Sequence, residues 1–266
     1  MQLLHNIGYF GSDASDTISG WNGKDNIVAK GGDDKIYANS GDDFIDAGAG
    51  NDYVEGGAGN DFVDGGTGND KIYGGYGDNI LKGGSGDDYI EVSNTEIYGD
   101  NRSIAWSQLG YKDGQNILEG GTGNDLIVGG WGGDTYIYNL GDGNDTIIEP
   151  VKYNHFEESP EANAQSDKLV FGAGISQNNL SFTRVNNDLV ISINSVDSGS
   201  IKIKSWYNDV GRQIEALHFA DGGILTSQNI LDLNLSKQDI VESNAGKNLA
   251  EILAGWNGKD DLSISL

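Results

Sequence analysis

Apolar residues in the first half of the chain recur every nine positions, unlike the two-residue period of a surface strand or the 3.6 of a helix. Frames cut from Gly11 begin at residues 11, 20, 29, 38, 47, 56, 65, 74 and 83. Their eighth position is always aliphatic: Ile18, Ile27, Ile36, Ile45, Val54, Val63, Ile72, Leu81 and Ile90. The fourth is Ala14 and then glycine from Gly23 to Gly86. The sixth is Asp16, Asp25, Asp34, Asp43, Asp52, Asp61, Asp70, Asn79 and Asp88. Two frames read Gly56-Gly-Ala-Gly-Asn-Asp-Phe-Val-Asp and Gly65-Gly-Thr-Gly-Asn-Asp-Lys-Ile-Tyr. A period held through nine unbroken frames marks a solenoid of stacked units.

Glycine opens left-handed backbone regions closed to a residue with a Cβ, so the first six positions of each frame predict a turn. The last three predict a very short strand whose middle residue points inward and whose neighbours point out. Two frames then close one coil of 18 residues, and alternate frames share a face. One face carries Asn26, Phe44, Phe62 and Ile80 at its outward seventh positions, with Val28 beside them. The other carries Lys35, Tyr53, Lys71 and Tyr89, with Tyr37 and Tyr73 alongside. Exposed apolar stripes mark contacts. The Phe44–Phe62–Ile80 stripe is therefore expected to be covered, by the C-terminal part of this chain or by another part of a longer protein.

An insertion, Val92–Gly110, interrupts the pattern; it holds Tyr98, Arg102 and Trp106 and is expected to fold against the coils, the alternative being a partner-binding loop. The frames resume with Tyr111-Lys-Asp-Gly-Gln-Asn-Ile-Leu-Glu, Gly120-Gly-Thr-Gly-Asn-Asp-Leu-Ile-Val and Gly129-Gly-Trp-Gly-Gly-Asp-Thr-Tyr-Ile. Two residues out of phase comes Leu140-Gly-Asp-Gly-Asn-Asp-Thr-Ile-Ile. Glu149–Ser166 is acidic, holds both prolines and reads as a loop. Beyond it the period is two. Lys168–Phe171, Leu180–Arg184, Asp188–Ile193, Ser200–Lys204 and Ile214–Phe219 predict short strands, with a short helix near Ser227–Leu233. The expected fold is all-β: a parallel β-roll over residues 1–148, interrupted at 92–110, then a small antiparallel β module capping it over 149–235. Residues 236–266 are expected to hold a linker and the start of a further array. There Gly255-Trp-Asn-Gly-Lys-Asp-Asp-Leu-Ser copies Gly20-Trp-Asn-Gly-Lys-Asp-Asn-Ile-Val, as in a fragment of a longer, multi-array protein.

Charge turns this scaffold into a binding problem. The formal charge is −25, and residues 11–148 carry 25 Asp/Glu against 7 Lys/Arg. Such a stretch repels itself. One inward aliphatic per nine residues buries too little surface to offset the entropy of ordering the other eight. A cation must join the fold. Turns two frames apart lie side by side, so their Asp side chains and turn carbonyls converge. Calcium takes six to eight hard oxygens at about 2.3–2.6 Å in irregular geometry, whereas magnesium is too small and too strict. Nucleic acid and an anionic membrane surface have the wrong sign. No segment approaches 18 consecutive apolar residues, so no transmembrane segment is expected. The absence of cysteine removes disulfides and Cys-based zinc sites. Met1–Gly8 lacks the basic and apolar regions of a signal peptide.

The repeat G-G-x-G-x-D-x-aliphatic-x resembles the RTX (repeats-in-toxin, haemolysin-type calcium-binding) family. Gly129-Gly-Trp-Gly-Gly-Asp-Thr-Tyr, Gly141-Asp-Gly-Asn-Asp-Thr-Ile, Ser205-Trp-Tyr and Phe219-Ala-Asp-Gly resemble the β module that follows the repeats in haemolysin-type exoproteins. The resemblance implies a parallel β-roll, export by a type I secretion apparatus and folding on extracellular calcium after release. It implies ligands from the sixth-position side chains and the turn carbonyls. Carried over, these are Asp16, Asp25, Asp34, Asp43, Asp52, Asp61, Asp70, Asn79, Asp88, Asp125, Asp134 and Asp145, with the glycine turns at Gly20, Gly56, Gly65, Gly74, Gly83, Gly120 and Gly129. Asn79 and Asn116 lack the charge, so their sites are expected to be weak or empty. Ala14 is expected to make the first turn irregular.

No catalytic residue emerges. His5, His155 and His218 share no spacing, and there is no H-E-x-x-H, nucleophile elbow, Walker loop or EF-hand in register. The chain is expected to be a non-enzymatic, secreted calcium-binding module of a toxin, cytolysin or large adhesin. The alternative is a non-catalytic module of a secreted enzyme whose Tyr/Lys face binds polysaccharide. A host cell surface or a polysaccharide is thus the candidate partner besides calcium.

Overall fold

The computed structural model describes residues 8–92, 114–130, 132–150, 166–208 and 213–235. Most of the insertion, residues 151–165, His5, His155, Pro160, Trp131 and the copied nonapeptide at 255–263 lie outside the described residues.

Successive frames alternate between two parallel sheets. The first stacks β1 (Gly8–Phe10), β3 (Asn26–Val28), β5 (Phe44–Ala49), β7 (Phe62–Thr67), β9 (Ile80–Ser85), β11 (Ile117–Thr122) and β13 (Thr135–Tyr138). The second stacks β2 (Thr17–Ser19), β4 (Lys35–Tyr37), β6 (Tyr53–Ala58), β8 (Lys71–Tyr76), β10 (Tyr89–Glu91), β12 (Leu126–Val128) and β14 (Asn144–Ile148). The register is set by the aliphatic rows: Ile27 lies opposite Ile45 and Ile36 opposite Val54. Across the insertion Leu81 pairs with Leu118 and Ile90 with Ile127, so the extra residues leave the stack unbroken. The outward rows fall as the nonapeptide period predicts, with Phe44 between Asn26 and Phe62 and Tyr53 between Lys35 and Lys71.

Several strands are longer than three residues. β5, β6, β7, β8, β9 and β11 run for six, through the first three positions of the next frame. Pairs such as Gly48–Gly66 and Gly57–Gly75 continue the ladder there. Gly57 shows what this demands: its φ is +110°, and a Cβ on it would sit 1.9 Å from the Asn39 carbonyl of the neighbouring coil. Where the equivalent residue is Lys30 or Asn39, φ is still positive, and β3 and β4 stop after three residues.

The C-terminal strands extend the roll. β15 (Lys168–Phe171) pairs parallel to β13 and β19 (Ala216–His218) parallel to β15, continuing the first sheet. β18 (Gly199–Ile203) pairs parallel to β14, continuing the second. Antiparallel pairing joins β16 (Leu180–Val185), β17 (Asp188–Ile193) and β18, and joins β19 to β20 (Ile224–Thr226). Helix α1 (Ser227–Leu231) follows, its Asn229 N–H accepted by Thr226 Oγ1 at 3.2 Å. Because these strands join the sheets edge-on, among the described residues they do not cover the Phe44 stripe. Phe44 is 42% exposed and Ile80 and Ile117 are each 37% exposed, while Phe62 stacks on Phe44 with centroids 5.0 Å apart. Among the described residues, the expectation that the C-terminal part covers this stripe is therefore not met. The opposite face is less open than its sequence suggests. Tyr73 is buried, Tyr37, Tyr53, Tyr73 and Tyr89 form a tilted ring ladder, and Lys71 lies over the Tyr73 and Tyr89 rings.

Candidate metal centre

Each frame turns at one side of the roll, and this puts its sixth-position side chain directly over the one a coil away. Two columns result. In one, the Asp16 N–H donates to Asp34 Oδ1 at 2.7 Å, Asp34 to Asp52 at 2.8 Å, Asp52 to Asp70 at 2.8 Å, Asp70 to Asp88 at 2.8 Å, Asp88 to Asp125 at 2.8 Å and Asp125 to Asp145 at 3.0 Å. In the other, the chain of donors runs Asp25 to Asp43, Asp61, Asn79, Asn116 and Asp134 over 2.7–3.0 Å. One carboxylate oxygen per rung is thereby spent on the backbone.

The second oxygen has no such partner. Oδ2 of Asp34, Asp43, Asp52, Asp61, Asp70, Asp88 and Asp125 is buried and accepts no hydrogen bond, and the same holds for Asp25 Oδ1. A buried carboxylate oxygen without a donor is costly unless a cation meets it. The turn keeps the space around it open. A Cβ on Gly56, Gly65, Gly83 or Gly120 would fall 2.2–2.7 Å from the Oδ2 of Asp61, Asp70, Asp88 or Asp125. Hard anionic and carbonyl oxygens in an irregular ring are a calcium donor set. The residues therefore fit calcium on burial, space and chemistry.

Burial disfavours the charged form of these carboxyls and is the largest cause of their shifts. It outweighs the backbone hydrogen bond each accepts, and neighbouring carboxylates add to it. Asp43, Asp52 and Asp125 are pushed up to about 6, Asp61, Asp70 and Asp88 to about 7 and Asp145 to about 8. Asp16, at the exposed first turn, is held below the usual range by the Ser12 N–H and hydroxyl, at 2.7 and 2.9 Å.

A second ladder, not anticipated from the repeat, runs beside the first in the opposite sense. At the fifth position the Asn51 N–H donates to Asp33 Oδ1, Asn69 to Asn51, Asp87 to Asn69 and Asn124 to Asp87, at 2.7–3.0 Å. Asn60, Asp78 and Gln115 are linked in the same way to Asp42, Asn60 and Asp78, each at 2.8 Å. Adjacent N–H groups of one turn thus grip the coils on either side, which holds the carboxylates at a fixed spacing.

Every sixth-position residue singled out from the sequence lies in one of the two columns. The first-position glycines lie beside the carboxylate as space, and the carbonyls beside the Asn79 side chain are those of Gly75 and Gly77. Two rungs escaped the sequence reading. The Asp134 N–H donates to Asp167 Oδ1 at 2.9 Å, and the Asp167 N–H to Glu215 Oε2 at 2.6 Å. Asp167-Lys-Leu and Glu215-Ala-Leu repeat the acid-x-aliphatic end of a frame without its fourth-position glycine, a faint signal in the sequence. Asp134, Glu149 and Asp167 are all buried, with carboxylate oxygens within 4.8 Å of one another, and Tyr136 donates its hydroxyl to Glu149 Oε1.

Comparison with known proteins agrees with this arrangement. The family of the RTX calcium-binding nonapeptide repeat matches residues 9–36, 22–54, 29–63, 55–90 and 112–147. The haemolysin-type calcium binding protein related domain matches residues 188–229. A relative, the iron-regulated protein FrpA of Neisseria meningitidis serogroup C, is 30% identical over 102 residues, 37% of this chain and 8% of that protein. The chain thus spans a small part of that relative's length. Among solved structures, the extracellular lipase LipA from Serratia marcescens aligns over 74% of this chain and 38% of its own, at 18% identity and a TM-score of 0.28. Together the two family matches cover well over half of the chain, and calcium is the ligand of such repeats. The chain belongs to the RTX, haemolysin-type calcium-binding family.

Proposed function

We propose that this chain is a calcium-triggered folding module of a secreted bacterial exoprotein, a toxin, cytolysin or large adhesin, that leaves the cell by type I secretion. The observation that carries the reading is the row of buried Oδ2 atoms without donors, stacked coil on coil. Asp25, Asp34, Asp43, Asp52, Asp61, Asp70, Asp88 and Asp125 hold the ions together with turn carbonyls. When bound, calcium supplies positive charge between rungs that otherwise repel. The side chains fix the coil spacing through Oδ1, and the turn glycines leave room for the ion. Binding free energy is then folding free energy. A chain of this charge stays extended and exportable at cytosolic calcium and becomes rigid at extracellular calcium, where sites of modest affinity suffice. The module performs no catalysis of its own.

Far-UV circular dichroism during a calcium titration from chelator, with magnesium as control, tests the reading. A cooperative gain of β signal with calcium alone is expected. A complete β signal in chelator overturns it. Attachment to a secreted enzyme with polysaccharide binding through Tyr53 and Tyr89 is the weaker reading. Those rings already contact their neighbours, and Tyr53 and Tyr89 donate to Glu55 and Glu91.

A further inference from the structure

One column contains a rung built without a carboxylate. Asn79 and Asn116 are 37 residues apart in sequence, separated by the insertion, yet they are neighbours in the stack. Both keep the place of an aspartate: the Asp61 N–H donates to Asn79 Oδ1 at 2.9 Å and the Asn79 N–H to Asn116 Oδ1 at 3.0 Å. The remaining atom differs. In an aspartate rung it is an acceptor, Oδ2, facing a turn of carbonyl acceptors. In these two residues it is a donor, Nδ2.

The donor is used. Asn79 Nδ2 lies 3.4 Å from both the Gly75 and the Gly77 carbonyl oxygens, the second and fourth positions of its own turn. Asn116 Nδ2 lies 3.2 Å from the Gly114 carbonyl, again the fourth position, and 2.9 Å from Asp134 Oδ1. A Cβ on Gly74 would approach Asn79 Nδ2 at 3.1 Å, as one on Gly65 would approach Asp70 Oδ2 at 2.5 Å, so the amide nitrogen takes the place of the orphaned oxygen. Neither asparagine leaves a buried side-chain atom without a partner, and neither does Asp134, whose Oδ2 accepts from the Gly130 N–H at 2.8 Å.

We propose that the Asn79–Asn116 rung takes no cation, because its carboxamide N–H groups make the contacts to the turn carbonyls that calcium makes elsewhere. Two acceptors facing one another need a cation between them; a donor facing an acceptor does not. Calcium in this column is thereby confined to the coils around Asp25, Asp43 and Asp61. The opposite column, Asp16 to Asp145, is unbroken. The boundary falls at the coil that carries the insertion, where amide donors meet the turn carbonyls without a cation.

The inference rests on the sixth-position residues being the calcium ligands, and the test separates the two. Calcium bound per full-length chain is counted by equilibrium dialysis and native mass spectrometry at saturating calcium, with circular dichroism to verify the β signal. The double variant Asn79→Asp/Asn116→Asp is expected to bind about one further ion. Asp52→Asn/Asp70→Asn, which copies the amide rung into the opposite column, is expected to bind about one fewer. Asn79→Asp alone, read alongside, serves if the double variant folds poorly. A loss in the Asp52/Asp70 variant with no gain in either Asn79 variant overturns the inference and leaves the ligand assignment standing. No loss in the Asp52/Asp70 variant overturns both.

Discussion

The repeats and the C-terminal strands share two continuous sheets but answer their charges in different ways. From Asp25 to Asp125 the buried carboxylates face turns, spend one oxygen on the backbone and leave the other for a cation. Their core is a row of aliphatic side chains with alanines between, such as Ile27, Ala29, Ile36, Ala38 and Ile45. In the C-terminal strands Asp188 is met by the protein itself: Lys204 Nζ at 2.7 Å and the Ser205 N–H at 2.8 Å. Burial raises the Asp188 carboxyl, but these donors outweigh it and hold the group below the usual range. Trp206, Phe171, Phe182 and Phe219 fill this core, and Arg184 lies 4.1 Å over the Tyr207 ring. Under the proposed function, the first region would gain its stability from a metal, whereas the second is satisfied by its own side chains. A repeat of nine has room for one large inward side chain, and a strand of six has room for three.

Chelation should break the comparison most visibly. Hydrogen exchange in chelator is expected to show β3–β12 amides unprotected while the β16–β17–β18 meander keeps measurable protection; equal loss in both would mean that the C-terminal strands depend on the roll for their order. Next is Trp206→Ala, which is expected to cost about 3–5 kcal/mol of C-terminal stability by removing a fully buried side chain, read by denaturant unfolding in calcium. Gly57→Ala and Gly222→Ala sharpen the contrast, since both glycines have positive φ. A Cβ at Gly222 meets nothing within 4 Å and should cost about 1–2 kcal/mol. At Gly57, against the Asn39 carbonyl, the expected loss is on the order of 2–4 kcal/mol.

Between pH 5 and pH 8 acidity should act chiefly on the repeats, and with opposite signs in the two metal states. In the calcium-free roll the carboxyls of Asp61, Asp70 and Asp88 titrate at about 7, above the model-compound value of 3.8. Groups with raised folded values stabilise the folded form at low pH, and that contribution is lost as pH rises between about 4 and 7. Circular dichroism in chelator should therefore show more β structure at pH 5 than at pH 8. With calcium present, protons compete for the same oxygens, so the calcium midpoint should move about tenfold or more higher between pH 8 and pH 5. The smallest effect is expected from Lys204→Ala. Its side chain is 43% exposed, and losing the Asp188 pair should cost less than about 1 kcal/mol in the same denaturant assay.

Much of the roll was legible before any coordinates. A strict period places residues 18 apart on one rung, so the aliphatic rows, both outward faces and the sixth-position columns follow from counting from Gly11. The short helix and five C-terminal strands also lie close to their sequence bounds. Strand length was misjudged because glycine reads as turn, while the pairing of Gly48 with Gly66 shows it continuing a ladder.

What the period cannot reach, only the tertiary structure decided. Asp167 and Glu215 take rungs beneath Asp134 although Gln165 and Gln213 stand where a frame has its fourth-position glycine. Their place depends on β15 and β19 adding in parallel to the first sheet, a pairing over 33 and 48 residues that local pattern does not encode. The adjacency of Asn79 and Asn116, the burial of Tyr73 and the opposed hydrogen-bond ladder of the fifth positions arise in the same way. The repeat determines which side chains stack at the turns, because each turn solves the same steric problem. The partners that those residues meet across the stack are set by the fold, because a hydrogen bond to a neighbouring coil exists only once the coils are stacked.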